Sequence, residues 1–303
     1  MTDTRGERIL VVGPGAMGLR MAGELLRAGL SVEILDHRPR RAGRLARGGF
    51  EVIEGRRRRL YRPIVRRRLP RDFRADVIIV AVKAQDTRAA LKSLPKGLLA
   101  RATVLSLQNG LGIFPIMLEY VPASRALRGI TSLGATLAAE RVVRAVGRGE
   151  TLVGGISREA RRRACRVARL LRGCGLRARA MSIERRIWEK LFVNVAINPL
   201  TAILRVENGR LLAIPSARER MRRAAAEAVA VARAEGFAFD PGRVWEAIER
   251  VARATARNRS SMLQDVEAGR VTEIEFLNGA VVRLGRRHGV GTPENESLVR
   301  EIL

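Results

Sequence analysis

A strand that runs straight into a glycine turn constrains this chain more than any other feature. Arg8-Ile9-Leu10-Val11-Val12 is a short apolar run, followed at once by Gly13-Pro14-Gly15-Ala16-Met17-Gly18. A helical pattern takes over directly, with Leu19, Met21, Ala22, Leu25 and Leu26 on one face. A second apolar run, Ser31-Val32-Glu33-Ile34-Leu35, ends at Asp36, eighteen residues past Gly18. Strand, Gly-x-Gly-x-x-Gly, helix, strand and terminal acid, in that order, make the dinucleotide-binding fingerprint in its required context. Gly13 allows the tight turn, Gly15 lets backbone approach a pyrophosphate, and Gly18 lets helix and strand pack closely. The helix N-terminus beside Pro14, Ala16 and Met17 offers unpaired N–H groups and a positive dipole end to the phosphates.

At 303 residues the chain is long enough for a large core and two domains. No uninterrupted apolar run reaches the roughly 18 residues that span a bilayer, so no membrane partner is expected. Residues 1–7 are polar and lead into the first strand, which leaves no room for a signal peptide. Cys165 and Cys174 form no metal or redox motif. They read as packing residues in a reducing compartment, and the expected location is cytoplasmic. No metal is expected.

The formal charge of +28 first points to nucleic acid. Its distribution points elsewhere. Only four of the 58 basic residues are lysines, and arginine is spread through every segment. Aromatics make up 4%, too few for a base-stacking platform. A compositional bias toward arginine accounts for the charge, and its field favours anionic ligands. No nucleic-acid partner is expected.

Strand–helix alternation continues through Asp76-Val77-Ile78-Ile79-Val80-Ala81-Val82, then Lys83-Ala84-Gln85-Asp86-Thr87 opening a helix, then Thr103-Val104-Leu105-Ser106-Leu107. A short strand over residues 127–131 and antiparallel strands over 140–152 follow. From Ile183 onward strand signals vanish and helical periodicity dominates: around 187–195, over 217–235, over 244–254, and in one long helix over 260–288. The fold expected is α/β: a Rossmann-type doubly wound domain over residues 1–181, then an all-helical domain over 182–303. The segment 177–182 is the junction, and the substrate is expected in the cleft between the domains.

In the second half, Lys190, Asn194 and Asn198 stand at i, i+4 and i+8, on one helix face. Such a stripe can be a solvated surface. Asparagine is a poor choice for an exposed helix interior, however, and the flanking residues are apolar, so the stripe borders a core where polar groups need partners. A second polar cluster runs from Asn258 through Ser260-Ser261-Met262-Leu263-Gln264-Asp265 to Thr272-Glu273-Ile274. Taken alone, Ser260 is a candidate helix cap and Glu273 a candidate surface acid.

Together these segments resemble the ketopantoate reductase (2-dehydropantoate 2-reductase) family over nearly the whole chain. The glycine loop, Val82-Lys83-Ala84, Leu107-Gln108-Asn109-Gly110, Lys190-Leu191 with Asn194, Asn198-Pro199-Leu200-Thr201-Ala202, the Ser260–Asp265 run, Thr272-Glu273-Ile274 and residues 289–295 match in order. The resemblance implies reduction of 2-dehydropantoate to (R)-pantoate, on the way to pantothenate and coenzyme A. It also implies a helical domain like the C-terminal one of 6-phosphogluconate dehydrogenase. It makes Lys190 the general acid. It assigns Asn109, Asn194, Asn198, Asn208, Asn258 and Ser261 to substrate, and Lys83, Asn109 and Glu273 to the nicotinamide side of the site. The partner implied is a small-molecule substrate, with a homodimer as an open alternative.

One segment departs from the family's usual pattern, which places arginine just after the second strand to meet a 2′-phosphate. Here Asp36 comes first, then Arg38, Arg40 and Arg41. Asp36 suits an unphosphorylated ribose, while the arginines attract the phosphate. NADP(H) is the expected cofactor, with NAD(H) as the alternative. Competing readings are a related 2-oxo or 3-hydroxy acid dehydrogenase and a non-catalytic NAD(P)-sensing or nucleic-acid-binding protein. A pure sensor needs no ammonium at Lys190.

Overall fold

The computed structural model describes residues 6–147 and 149–303. The first five residues of the polar lead-in, and Arg148 within the 140–152 stretch, lie outside the described residues. The chain divides into two compact units. One comprises Met1–Gln108 and Ile113–Ile183, the other Asn109–Gly112 and Glu184–Leu303.

In chain order the first unit runs β1 (Arg8–Val12), α1 (Ala16–Arg27), β2 (Ser31–Leu35), α2 (Pro39–Gly48), β3 (Phe50–Glu54), β4 (Arg57–Tyr61), β5 (Ile64–Arg66), β6 (Val77–Val80), α3 (Thr87–Lys92), α4 (Lys96–Leu99) and β7 (Thr103–Ser106). It continues with α5 (Ile113–Leu118), β8 (Ala126–Thr131), β9 (Gly134–Ala139), β10 (Val142–Val146), β11 (Glu150–Gly154), α6 (Arg158–Gly173) and β12 (Arg177–Ala180). The main sheet has the order β12-β11-β8-β7-β6-β1-β2-β5. From β5 to β8 every neighbouring pair is parallel. The strand order reverses at β1, which places its C-terminal end at the switch point where open α/β sheets bind ligands. Burial agrees: Val77–Val80 of β6 is buried throughout, as a parallel strand covered on both faces must be.

A second sheet, β4-β3-β10-β9, was not expected. The stretch 140–152 does hold strands, but β10 pairs antiparallel only with β9. It runs parallel to β3, while β11 joins the main sheet. Helix α1 packs against the second sheet as well as the first. Its Arg20, 2% exposed, donates to the carbonyls of Gly134 (2.7 Å) and Gly147 (3.1 Å). The segment 177–182 also differs from expectation. Residues 177–180 form β12, paired parallel to β11, so the chain completes a strand before entering the helices. Cys174 is buried as a packing residue should be, and burial pushes its thiol up to about 11. Cys165 is exposed, and its packing role fails.

The second unit contains α7 (Glu184–Leu204), a 3₁₀ turn (Asn208–Ala213), α8 (Pro215–Ala234), α9 (Pro241–Ala254), α10 (Ser261–Glu267), a second 3₁₀ turn (Ile274–Phe276), α11 (Asn278–His288) and α12 (Pro293–Ile302). The single helix expected over 260–288 is therefore broken in three. Arg270 N–H closes onto the Asp265 carbonyl and Leu277 takes a non-helical backbone, so the apolar period continues while the helix does not. Helix α7 is the core element: Leu191, Phe192, Val195, Ala196, Ile197 and Leu200 are buried in one apolar cluster with α8, α9, α10 and α11. Each of the larger of these side chains contributes about 1.5–3 kcal/mol by burial. Among the described residues α7 alone is long and apolar enough to cross a membrane, by length and composition; here it is the inside of a helical bundle.

Candidate active site

The glycine turn sits at the C-terminal end of β1. It is tied to both neighbouring strands: Gly13 N–H donates to Leu35 O (3.1 Å) and Ala81 N–H to Val12 O (2.9 Å). Gly13 has φ +94°, and a Cβ there would lie 2.7 Å from the Val82 nitrogen. A Cβ on Gly18 would lie 2.1 Å from the Gly13 carbonyl oxygen. The protein's own packing therefore requires both. Gly15 is different, because a Cβ there would meet nothing nearer than the Ala81 oxygen at 4.0 Å. The chain's own packing does not demand glycine at that position, and the backbone there is open to the approach of a bound group. Gly15 also heads α1 with no side-chain cap and no acid in the first turn, so the N–H groups of Ala16, Met17 and Gly18 remain available. The residues present fit a dinucleotide pyrophosphate.

Asp36 lies beside this turn at the end of β2, 1% exposed. It accepts from Arg41 through two bonds, Nε at 2.5 Å and Nη2 at 2.9 Å, and from the Arg38 backbone N–H at 3.1 Å. This changes the balance of charge inferred from sequence. Arg41 neutralises Asp36 and does not stand with the arginines open to a phosphate. Arg38 and Arg40 are exposed and make no ion pair among the described residues. Lys83 follows β6, next to Val82 at the glycine turn. Gln108, after β7, braces that loop: its Nε2 donates to Thr87 Oγ1 (2.7 Å) and Val82 O (3.1 Å). Sequence reasoning placed Gln108 in a motif and gave it no role. Asn109 begins the short segment that belongs to the helical unit, where Leu111 N–H donates to Phe276 O (2.9 Å).

In the second unit Lys190, Asn194 and Asn198 share one face of α7. Lys190 is half-buried. Desolvation lowers its ammonium pKa to about 8, against the pull of the Glu273 carboxylate, which favours the charged form. Glu273 is 8% exposed, between α10 and the second 3₁₀ turn. Thr201 hydroxyl donates to Asn198 O (2.8 Å) and shares a 2.7 Å contact with Ser260 Oγ, which caps α10 by accepting Leu263 N–H. That chain of hydroxyls joins the Asn198 turn of α7 to the start of α10. There Ser261 is exposed, and Ser260 is the buried cap. Asn208, 8% exposed, donates through Nδ2 to Thr255 Oγ1 (2.9 Å), and its N–H binds Asn258 O (3.0 Å). Its Oδ1 is buried without a partner among the described residues, and Asn258 itself is exposed. The structure thus groups Lys190 with Glu273 and Asn208 with Asn258, and links Asn198 through Thr201 to Ser260, the residue before Ser261. Among the described residues no cluster of three His, Cys, Asp or Glu side chains could hold a metal ion.

A glycine turn at a strand switch point, with a helical unit carrying a depressed lysine, defines a Rossmann-type dinucleotide-binding oxidoreductase. Sequence profiles described as "Ketopantoate reductase PanE/ApbA" and its C-terminal counterpart match residues 9–158 and 182–302. The chain belongs to the ketopantoate reductase family. It is 37% identical to the 2-dehydropantoate 2-reductase of Halobacterium salinarum over 94% of both chains, and 42% identical to that of Archaeoglobus fulgidus over 74% of both. Its fold superposes with TM-score 0.93 on D-mandelate dehydrogenase solved with NADH and anilino(oxo)acetate, at 25% identity, covering 97% of this chain and 96% of that one.

Proposed function

We propose that this chain reduces the ketone of 2-dehydropantoate to (R)-pantoate with NADPH. The observation that carries the reading is Lys190: a half-buried ammonium with its pKa brought down to about 8, opposed by Glu273. A nicotinamide dinucleotide held by the glycine turn would supply the hydride for the ketone carbon. Lys190 Nζ gives its proton to the ketone oxygen, and its charge stabilises the alkoxide as that charge develops. A donor with pKa near working pH is both protonated beforehand and willing to release. Lys190 then regains a proton from solvent.

In this reading residues 1–181 bind the dinucleotide and 182–303 the substrate. Gly13, Gly15 and Gly18, with the N–H groups of Ala16 and Met17, hold the pyrophosphate; Arg38, with Asp36 silenced by Arg41, favours the 2′-phosphate. Asn194, Asn198, Asn208 and Ser261 present uncharged donors to the substrate's carboxylate and hydroxyl, joined by Asn109 and Asn258. The family resemblance assigns Lys83 and Glu273 each to the nicotinamide side. Free cysteines suit a reducing cytoplasm.

The likeness to D-mandelate dehydrogenase favours a second reading, reduction of a bulkier 2-oxo acid. One panel separates the two: NADPH oxidation with 2-dehydropantoate, pyruvate and benzoylformate. The proposal expects the highest kcat/KM with 2-dehydropantoate. Preference for benzoylformate favours the second reading, and equal rates with pyruvate sink the assignment.

A further inference from the structure

Helix α7 carries Pro199 in its interior. A proline has no N–H for the carbonyl four residues earlier, so the Val195 carbonyl loses its helical partner in the middle of the core. An unpaired buried carbonyl is costly. The gap is filled from another helix: Asn278 Nδ2 donates to Val195 O at 3.0 Å. The second proton of the same amide goes to Asn295 Oδ1, also at 3.0 Å. Asn295 Nδ2 in turn donates to Ala224 O (3.1 Å) and to Glu227 Oε2 (2.7 Å), and Glu227 accepts the backbone N–H groups of Glu294 and Asn295 that open α12. Two side-chain amides, Asn278 and Asn295, thus join α7, α8, α11 and α12. Asn278 is 0% exposed, and its own Oδ1 accepts nothing among the described residues. A buried amide that tolerates an unpaired acceptor is there for its two donors.

The placement of that bond matters for chemistry. Val195 lies in the turns of α7 that carry Lys190, Asn194 and Asn198. Asn278 lies one 3₁₀ turn after Glu273, and the turn is closed onto Glu273: Phe276 and Leu277 N–H both donate to its carbonyl, at 2.9 and 3.2 Å. We propose that Asn278 is a positioning residue, matched to Pro199: by taking the carbonyl that the proline leaves open, it holds the Glu273 segment against the Lys190 face of α7. The inference rests on the proposed function for its catalytic meaning, and on the hydrogen bonds alone for its geometry. On α7 itself Glu189 is paired with Arg186 at 2.6 Å, so Glu273 is the charge that bears on Lys190 from another element.

The chain's four lysines make the test direct, because [13Cε]lysine labelling gives four NMR signals, with Lys190 assigned from a Lys190→Ala sample. The titration is run on the full-length protein as wild type, Asn278→Ala, Pro199→Ala and the double variant, with NADPH affinity as the check on folding. Asn278→Ala loosens Glu273, so the Lys190 midpoint should fall further below its wild-type position, by about half a unit. kcat with 2-dehydropantoate should fall about tenfold while NADPH affinity holds. Pro199→Ala should stay near wild type. In the double variant the backbone N–H that Pro199→Ala restores can donate to the Val195 carbonyl again, and part of both losses should be recovered. The Asn295 bond is not restored, so recovery is partial. Should Asn278→Ala not fold, Asn278→Ser keeps a donor of reduced reach and is read in the same way. An unmoved midpoint, an upward one, or losses of the same size with and without Pro199 would overturn the proposal. If wild type leaves 2-dehydropantoate untouched, the function is wrong, while the titration, which needs no substrate, still decides Asn278.

Discussion

The two units build their candidate sites from different materials. The glycine turn of the first is made of backbone: what matters at Gly13, Gly15 and Gly18 is the missing Cβ, and the ligand-binding groups are amide N–H. The α7 face of the second is made of side chains, and its properties belong to no single element. Lys190 is lowered to about 8 because α7 is buried by its neighbours, and the lowering is opposed by Glu273, which arrives from a segment far along the chain. A backbone site is a local property of a few consecutive residues. A side-chain site inherits every contact that holds its helices in place.

Substitutions can sharpen or break this contrast. The largest effect is expected at Lys190. Lys190→Ala should cut kcat by about 10²–10⁴-fold, the range for a lost general acid, with NADPH affinity unchanged. Titration of cofactor binding beside single-turnover rates checks both halves. The glycine turn should split by position. Gly18→Ala drives a Cβ onto the Gly13 carbonyl oxygen, so it should lower both stability, by about 2 kcal/mol or more, and cofactor affinity. Gly15→Ala has room within the protein and should leave Tm unchanged while weakening NADPH about tenfold, or 1.4 kcal/mol. Thermal melts with and without NADPH separate the two; equal loss of stability in both variants would mean that Gly15 also serves packing. The smallest effect is expected at Arg41. Arg41→Ala unmasks the Asp36 carboxylate, which should weaken NADPH relative to NADH about fivefold, near 1 kcal/mol. An unmoved NADPH/NADH ratio of kcat/KM would place the 2′-phosphate elsewhere.

The contrast also explains what the sequence made legible. The turn could be read directly, because strand, glycines and helix are adjacent in the chain and each glycine has a local reason. The helices of the second unit could be read from their apolar period, but not the break after α10, where the period continues and the backbone closes back at Arg270. The second sheet was hidden because β4 is arginine-rich and exposed from Arg57 to Leu60; ladder bonds to β3 hold it, with no apolar alternation to announce it. The Arg41–Asp36 pair was missed because the arginines were counted as a group, while geometry singles out one. On residues alone, Lys190, Asn194 and Asn198 were visible as a stripe, and Glu273 and Ser261 gained meaning only from the family resemblance. Pro199 was the one overlooked local signal: a proline in a helix implies a carbonyl in want of a donor, and Asn278 answers it.

The pH dependence of kcat/KM with 2-dehydropantoate tests the central claim most directly. A general acid works in its protonated form, so a lysine lowered to about 8 makes the rate fall as pH rises through that value, well before the ordinary lysine range. Wild type should show that descending limb near pH 8, and Lys190→Ala should keep a small residual rate without it. A profile flat to pH 10 in wild type, or the same limb retained in Lys190→Ala, would contradict the assignment of Lys190 as the proton donor.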